Sequence, residues 1–376
     1  MADSYSTLEL TRKLLAFNTI NPPGNERESA RFVGGLLQTA GFAVDYYEFD
    51  DRRTSLIAGK NVNTDRAPIC FTGHLDTVPL GLGKWVADPF SGEQAGDKIF
   101  GRGSSDMKSG VAAMITAALR LAGLHGGQAG ILLVLTAGEE NGCQGAGYLA
   151  GLGTVLGRAG ALVVGEPTGN YPVIGHKGAF WLEAVTSGIT AHGAMPEQGD
   201  NAIYKAARAI TRLEKFDFKV RPHPILGGPT LNVGTVSGGI NFNSVPDRST
   251  FSIDIRTIPG QDLDGIQKDL QACLGEEVVL ENLTAAPAVS TDPDNDWIQE
   301  VFGIMASYIG EQPVPRGAAY FTDASALSAA FGRPPTVILG PGEPEMAHKA
   351  DEYCYVSKIE AATEAYFEIA RRWCGL

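Results

Sequence analysis

The apolar run Ile131–Thr136 opens directly onto Ala137-Gly138-Glu139-Glu140-Asn141-Gly142. A short, continuous apolar run of this kind reads as a strand buried on both faces, as in a parallel sheet covered by helices. Two adjacent carboxylates at its exit are costly unless a cationic partner meets them. The same arrangement recurs along the chain. His74 follows Phe71-Thr72-Gly73, and Glu166 follows Val163-Val164-Gly165. His348 is reached through a short loop after Val337-Ile338-Leu339, and Asp106 lies in the glycine-rich stretch Gly101–Gly110 before a helical pattern. In open α/β sheets, ligands bind beyond the carboxyl ends of the strands. A fold that brings these ends to one edge gathers imidazoles and carboxylates there.

The rest of the periodicity agrees with an α/β layer architecture. Helical spacing marks Thr7–Leu15, Glu26–Ala40 and Gly110–Ala122, and strands are predicted at Phe42–Phe49, Ala67–Thr72, Ile131–Thr136 and Ala161–Val164. From Gly175 the pattern becomes strand 180–186, helix 201–216, strands 230–236 and 250–255, helix 263–274 and strand 277–280. That β-α-β-β-α-β order is a ferredoxin-like unit. The α/β pattern then resumes with helix 297–309, strand 336–339 and helix 357–373. The expected organisation is a mostly parallel-sheet catalytic domain with helices on both faces, formed by 1–174 and 285–376. A smaller domain, 175–284, interrupts it.

Bulk properties exclude several classes. Of 376 residues, 44% are hydrophobic and 19% charged, so the chain can build cores and is not a disordered tail. The net charge of -13 argues against general affinity for nucleic acid or anionic membrane. The five cysteines are widely spaced, with no C-x-x-C, and read as a reduced set. No 18-residue apolar stretch and no signal-peptide pattern occur, so the expected location is the cytoplasm.

His74, Asp106, Glu140, Glu166 and His348 suit two divalent ions, zinc first, with cobalt or manganese as alternatives. Asp106, a short side chain in a tight turn, is the expected bridge. His74 and Glu166 then complete one ion, and Glu140 and His348 the other. Three carboxylates against two dications leave one positive charge, which a bridging hydroxide would cancel. Asp76, two residues after His74, is expected to accept the other ring N–H of His74. Glu139 stays free to act as general base and to return a proton to a leaving amine. Singly, each residue has an ordinary alternative: a loop histidine, a helix-capping Asp, a wet Glu-Glu pair. Their joint placement carries the reading.

The stretches Gly73-His-Leu-Asp-Thr-Val-Pro79, Gly101-Arg-Gly-Ser-Ser-Asp-Met-Lys108, Gly138-Glu-Glu-Asn-Gly142, Gly165-Glu-Pro-Thr168 and Ala347-His348 occur in order. Together they resemble the acetylornithine deacetylase and succinyl-diaminopimelate desuccinylase family of dinuclear metal amidohydrolases and peptidases. Asn21-Pro-Pro-Gly-Asn-Glu26 is also typical of that group. The resemblance implies the same five metal ligands, Glu139 as base and Asp76 beside His74. It also implies that the inserted domain is a lid and a homodimer contact. Thr190-Ala-His192-Gly-Ala-Met-Pro196 is similar to a lid motif whose histidine stabilises the oxyanion, in cis or across a dimer. Asn243 and Arg256 match lid positions that contact substrate; an ordinary ion-paired Arg256 remains the alternative. The implied reaction is hydrolysis of an N-acyl-L-amino acid, with a desuccinylase, a di- or tripeptidase or a carboxypeptidase as alternatives. The sequence departs from the pattern at Ser109 and at Ala350-Asp351, and Asp351-Glu352 adds negative charge that would bear on substrate choice. Arg316, just before Thr322-Asp323-Ala324, is a weaker candidate substrate contact.

Overall fold

The run Ile131–Thr136 forms a fully buried strand in a six-stranded sheet. The computed structural model describes residues 5–124 and 126–376, which divide into two units. The first comprises the described residues of Met1–Gly175 with Ser290–Gly317 and Thr322–Leu376; the second comprises His176–Val289 and Ala318–Phe321.

In the first unit the sheet runs in the order Ala43–Asp50, Arg53–Lys60, Ile131–Thr136, Ile69–His74, Ala161–Val164, Thr336–Ile338. The last four strands are mutually parallel, and the first two form an antiparallel edge hairpin. The register sets His74 opposite Thr136, Thr72 opposite Val164, and Val164 opposite Ile338. The four parallel strands therefore finish together, and the loops after them leave from one edge.

Helices cover both faces. Tyr46 and Phe49 point to opposite sides of their strand because side chains alternate. Tyr46 lies against helix Arg27–Thr39, where a Cβ on Gly34 would fall 2.0 Å from the Tyr46 hydroxyl. Phe49 meets Tyr148 of helix Gln144–Gly151 on the other side. Helices Lys108–Leu121 and Val356–Cys374 pack together and against strand Ile69–His74, with Phe71 edge-on to Tyr366. Helix Thr7–Leu15 begins at a reciprocal Ser6–Glu9 capping box.

The second unit has the sheet order Thr230–Asn232, Arg248–Thr257, Gly178–Ser187, Val278–Ala286, all antiparallel, with Val236–Gly238 also pairing the long strand Arg248–Thr257. That is the ferredoxin-like order. Along Arg248–Thr257 exposure alternates residue by residue. Its buried side chains Phe251, Ile253 and Ile255 join Phe180, Leu182, Leu213, Leu270 and Leu274 in one core under helices Ala202–Leu213 and Leu263–Leu274.

The structure differs from the sequence reading in definable places. Arg53–Lys60 is a strand although it opens Arg-Thr-Ser; Arg53 is buried because Glu26 pairs with it at 2.9 Å. The expected strand 230–236 is two short strands, and the strand expected to end at Leu280 continues to Ala286. Gln144–Gly151 and Ala324–Ala330 are short helices of small residues that carry little periodicity. No helix among the described residues is long and apolar enough to cross a membrane. All five cysteines are unpaired, and Cys70 is buried.

Candidate metal centre

His74 is the last residue of its strand and is buried. Its Nδ1 lies 3.0 Å from the backbone carbonyl of Asp76 and 3.6 Å from the Asp76 carboxylate. The ring N–H therefore donates to the carbonyl, not to the carboxylate as the spacing suggested. The carboxylate is already engaged: it accepts the backbone N–H groups of Glu139 at 3.1 Å and Glu140 at 3.3 Å, and the Asn21 side-chain amide at 2.8 Å. Asp76 thus fixes the His74 tautomer through its backbone and shapes the Glu139–Glu140 turn through its side chain. That turn leaves the strand through Gly138, whose φ of +75° and close Arg53 and Gln144 neighbours exclude a side chain.

Asp106 is held from behind. Glu352, fully buried, accepts backbone N–H groups from Gly103, Ser105 and Asp106 and pairs with Arg102 at 2.7 Å. Asp351 accepts the backbone N–H groups of Val86 and Ala87. The acidic pair after His348 therefore holds neighbouring loops in place. Glu166 follows its strand through Gly165, where helix Lys108–Leu121 comes close: a Cβ on Gly110 would fall 2.3 Å from the Gly165 carbonyl.

These elements bring all five expected ligands together as two overlapping trios, His74–Asp106–Glu166 and Asp106–Glu140–His348. Asp106 Oδ1 is 3.1 Å from His74 Nε2, and its Oδ2 is 3.4 Å from His348 Nε2. His74 Nε2 lies 3.7 Å from Glu166, and His348 Nε2 lies 3.2 Å from Glu140. Asp106 therefore turns one oxygen to each trio. Glu139 is buried nearby and belongs to neither.

The electrostatics describe an anionic cage. Burial drives the Glu166 and Glu139 carboxyls well above their usual range, with neighbouring carboxylates adding to the effect. Burial, together with the Asp106 charge, lifts Glu140 to about 7. Hydrogen bonds to Asp106 and Glu140 lift His348 to about 10. Burial opposes charge on His74, but Glu166 and Asp106 outweigh it and raise its pKa. Glu140 Oε1 is buried and has no hydrogen-bond partner among the described residues. Two ring nitrogens and three carboxylates, one of them with an orphaned oxygen, fit a pair of divalent ions with borderline nitrogen and oxygen preference.

The sequence profile of peptidase family M20/M25/M40 matches residues 70–372. The chain belongs to this family. It is 27% identical to an acetylornithine deacetylase of Proteus mirabilis (strain HI4320), over 98% of this chain and 96% of that one. It is 27% identical to a probable succinyl-diaminopimelate desuccinylase of Staphylococcus aureus (strain Mu50), over 96% and 97%. An M20 family metallo-carboxypeptidase from Sulfolobus solfataricus shares the fold with a TM-score of 0.83 at 19% identity, covering 99% and 100%. A Bacillus subtilis structure described as a dinuclear metal binding peptidase of the same family aligns at a TM-score of 0.71, 14% identity and 98% coverage of both chains. As an M20 member the chain is a hydrolase.

Three of the remaining candidates of this M20 chain, His192, Asn243 and Arg256, lie in the second unit. His192 is exposed, and its Nδ1 accepts the Ala194 backbone N–H at 3.1 Å. Asn243 is exposed, and its carbonyl receives the Gly193 N–H. Arg256 pairs with Asp254 at 3.0 Å and stands over the Trp181 and Phe321 rings, each 5.8 Å away. In the first unit, Arg316 stacks on Tyr171 at 3.8 Å. Sequence reasoning missed the buried roles of Glu352 and Asp323. The only signal for Asp323 was its place in Thr322-Asp323-Ala324, which opens helix Ala324–Ala330.

Proposed function

We propose that this M20 hydrolase cleaves the amide bond of an N-acyl-L-amino acid, in the manner of an acetylornithine deacetylase. The observation that supports this most is Asp106 facing two trios with Glu139 buried beside them and outside both. In this reading His74, Asp106 and Glu166 hold one divalent ion, and Asp106, Glu140 and His348 the other, with zinc first and cobalt or manganese as alternatives. Such ions supply Lewis-acid polarisation of the acyl carbonyl and make a nearby water more acidic.

Glu139 takes the proton of the attacking water and delivers it to the departing amine nitrogen. Asp76 holds the Glu139 and Glu140 amides, and so fixes where both carboxylates stand. His192 carries its ring proton on Nε2 when neutral, because Nδ1 is an acceptor. Nε2 is then a donor suited to the developing oxyanion, from the same chain or across a homodimer formed through the second unit, which acts as a lid. Arg256 and Asn243 bind the amino-acid carboxylate and the acyl oxygen side, Arg256 through its forked donors.

A panel of N-acetylornithine, N-succinyl-diaminopimelate, other N-acyl amino acids and di- and tripeptides, with zinc- and cobalt-loaded protein and amine release as readout, tests this. Higher kcat/KM on N-acyl amino acids is expected. Turnover confined to peptides would replace the acyl reading with a peptidase, the reading favoured by the M20 carboxypeptidase fold neighbour.

A further inference from the structure

A third cluster of buried ligand-type side chains lies beside the two trios. Glu139, Cys143 and Asp323 each offer an oxygen or sulfur atom, and these atoms all lie within 4.8 Å of one another. The three residues are 6%, 4% and 1% exposed, so bulk water does not screen them. The Cys143 sulfur is 3.8 Å from Glu139 Oε1. Asp323 commits Oδ2 to the Thr136 hydroxyl, while its Oδ1 is buried with no hydrogen-bond partner among the described residues. A buried carboxylate oxygen without a donor asks for a cation or a proton.

The backbone holds the three in place. Cys143 is the residue before helix Gln144–Gly151, sits in the left-handed region at φ +57°, and returns its N–H to the Glu139 carbonyl at 2.9 Å. Asp323 precedes helix Ala324–Ala330. Ligand atoms around a tetrahedral zinc ion lie roughly 3.3–3.8 Å apart, given zinc–sulfur and zinc–oxygen bonds of about 2.3 and 2.1 Å. The 4.8 Å limit on the observed spacing lies within about 1–1.5 Å of that value, leaving the fourth position to water.

We propose that Glu139, Cys143 and Asp323 form a third metal site, for a thiophilic divalent ion such as cadmium or excess zinc, and that filling it withdraws Glu139 from proton transfer. The thiolate distinguishes this site from the two trios, which contain only imidazole and carboxylate and which fill first. On binding, the Cys143 thiol releases its proton to solvent and its sulfur forms the bond to the ion; no electron transfer is involved. The inhibitory half of the inference rests on the role given to Glu139 under the proposed function, and the existence of the site does not.

Two-metal-loaded protein is titrated with cadmium, reading ultraviolet thiolate-to-cadmium charge-transfer absorption and amine release together. Expected is one further ion per chain, appearance of the band, and loss of activity in step with it. Cys143→Ser keeps basal activity, shows no such band, and needs at least as much extra ion as the roughly 10- to 100-fold penalty for losing an outer partner of a metal site. Asp323→Asn, which leaves the sulfur in place, weakens the band's midpoint. No band in the parent protein, or a band undiminished in Cys143→Ser, overturns the site. A band that saturates with full activity upholds the site and removes Glu139 from proton transfer.

Discussion

The Glu352 carboxylate accepts the backbone N–H of Asp106 at 3.0 Å, and its other oxygen pairs with Arg102 at 2.7 Å. The residue proposed to bridge two ions is thus fixed through its backbone by a buried acid that is a member of neither trio. Removing one partner of a buried ion pair leaves the other charge uncompensated. Glu352→Gln should lower unfolding free energy by about 3–5 kcal/mol and reduce metal retained on dialysis. Denaturant titration and elemental analysis read the two effects; an unchanged midpoint would show that the pair is dispensable.

Asp106 belongs to both trios, and His348 to one. Asp106→Ala should therefore abolish retention of both ions, whereas His348→Ala should lower metal content by one ion per chain. Equal losses in the two variants would contradict the shared-ligand geometry.

Glu139 stands outside both trios. Glu139→Ala should keep metal content at the parent level while kcat falls by about 10²–10⁴-fold, the range of general acid–base contributions. Near-parent turnover with full metal would take the proton-transfer role from it.

His176 offers a pH test outside the candidate ligand set. Burial lowers its pKa from 6.5 to about 4. Its Nδ1 lies 2.8 Å from the Lys177 carbonyl, so it stands neutral inside the second unit. Between those two values the unfolded chain binds more protons than the folded one, so stability rises with pH. This contribution is present above pH 6.5 and lost as pH falls toward 4. His176→Gln should flatten that part of the stability profile relative to the parent in denaturant melts. Parallel profiles for the two proteins would count against a buried neutral imidazole.

Phe251 is 1% exposed at the centre of the second unit's core. Phe251→Ala should cost about 3–5 kcal/mol, through lost transfer energy and the cavity left behind. A loss under about 1 kcal/mol would mean the core collapses around the gap.

The strand ends were legible because burial writes itself into sequence. Ile131–Thr136 and Ala161–Val164 are apolar throughout and fully buried, and the residues just beyond them carry the site. The alternation in Arg248–Thr257 declared a half-buried strand in the same way. Arg53–Lys60 was hidden because its buried Arg53 is neutralised by Glu26, twenty-seven positions away.

The sequence by itself determined most of the element order, the ligand-type residues at the sheet's carboxyl edge and, through its motifs, the family. Tertiary structure alone decided which oxygen of Asp106 faces which trio, that Asp76 gives its carbonyl to His74 and its carboxylate to the Glu139–Glu140 turn, and that Glu352 is an anchor. It also decided that Cys143 and Asp323, 180 positions apart, meet beside Glu139. Periodicity encodes which way a side chain faces, inward or outward. Hydrogen-bond partners are chosen by which distant backbone groups the closed fold leaves within reach, and that information exists only once the layers have packed.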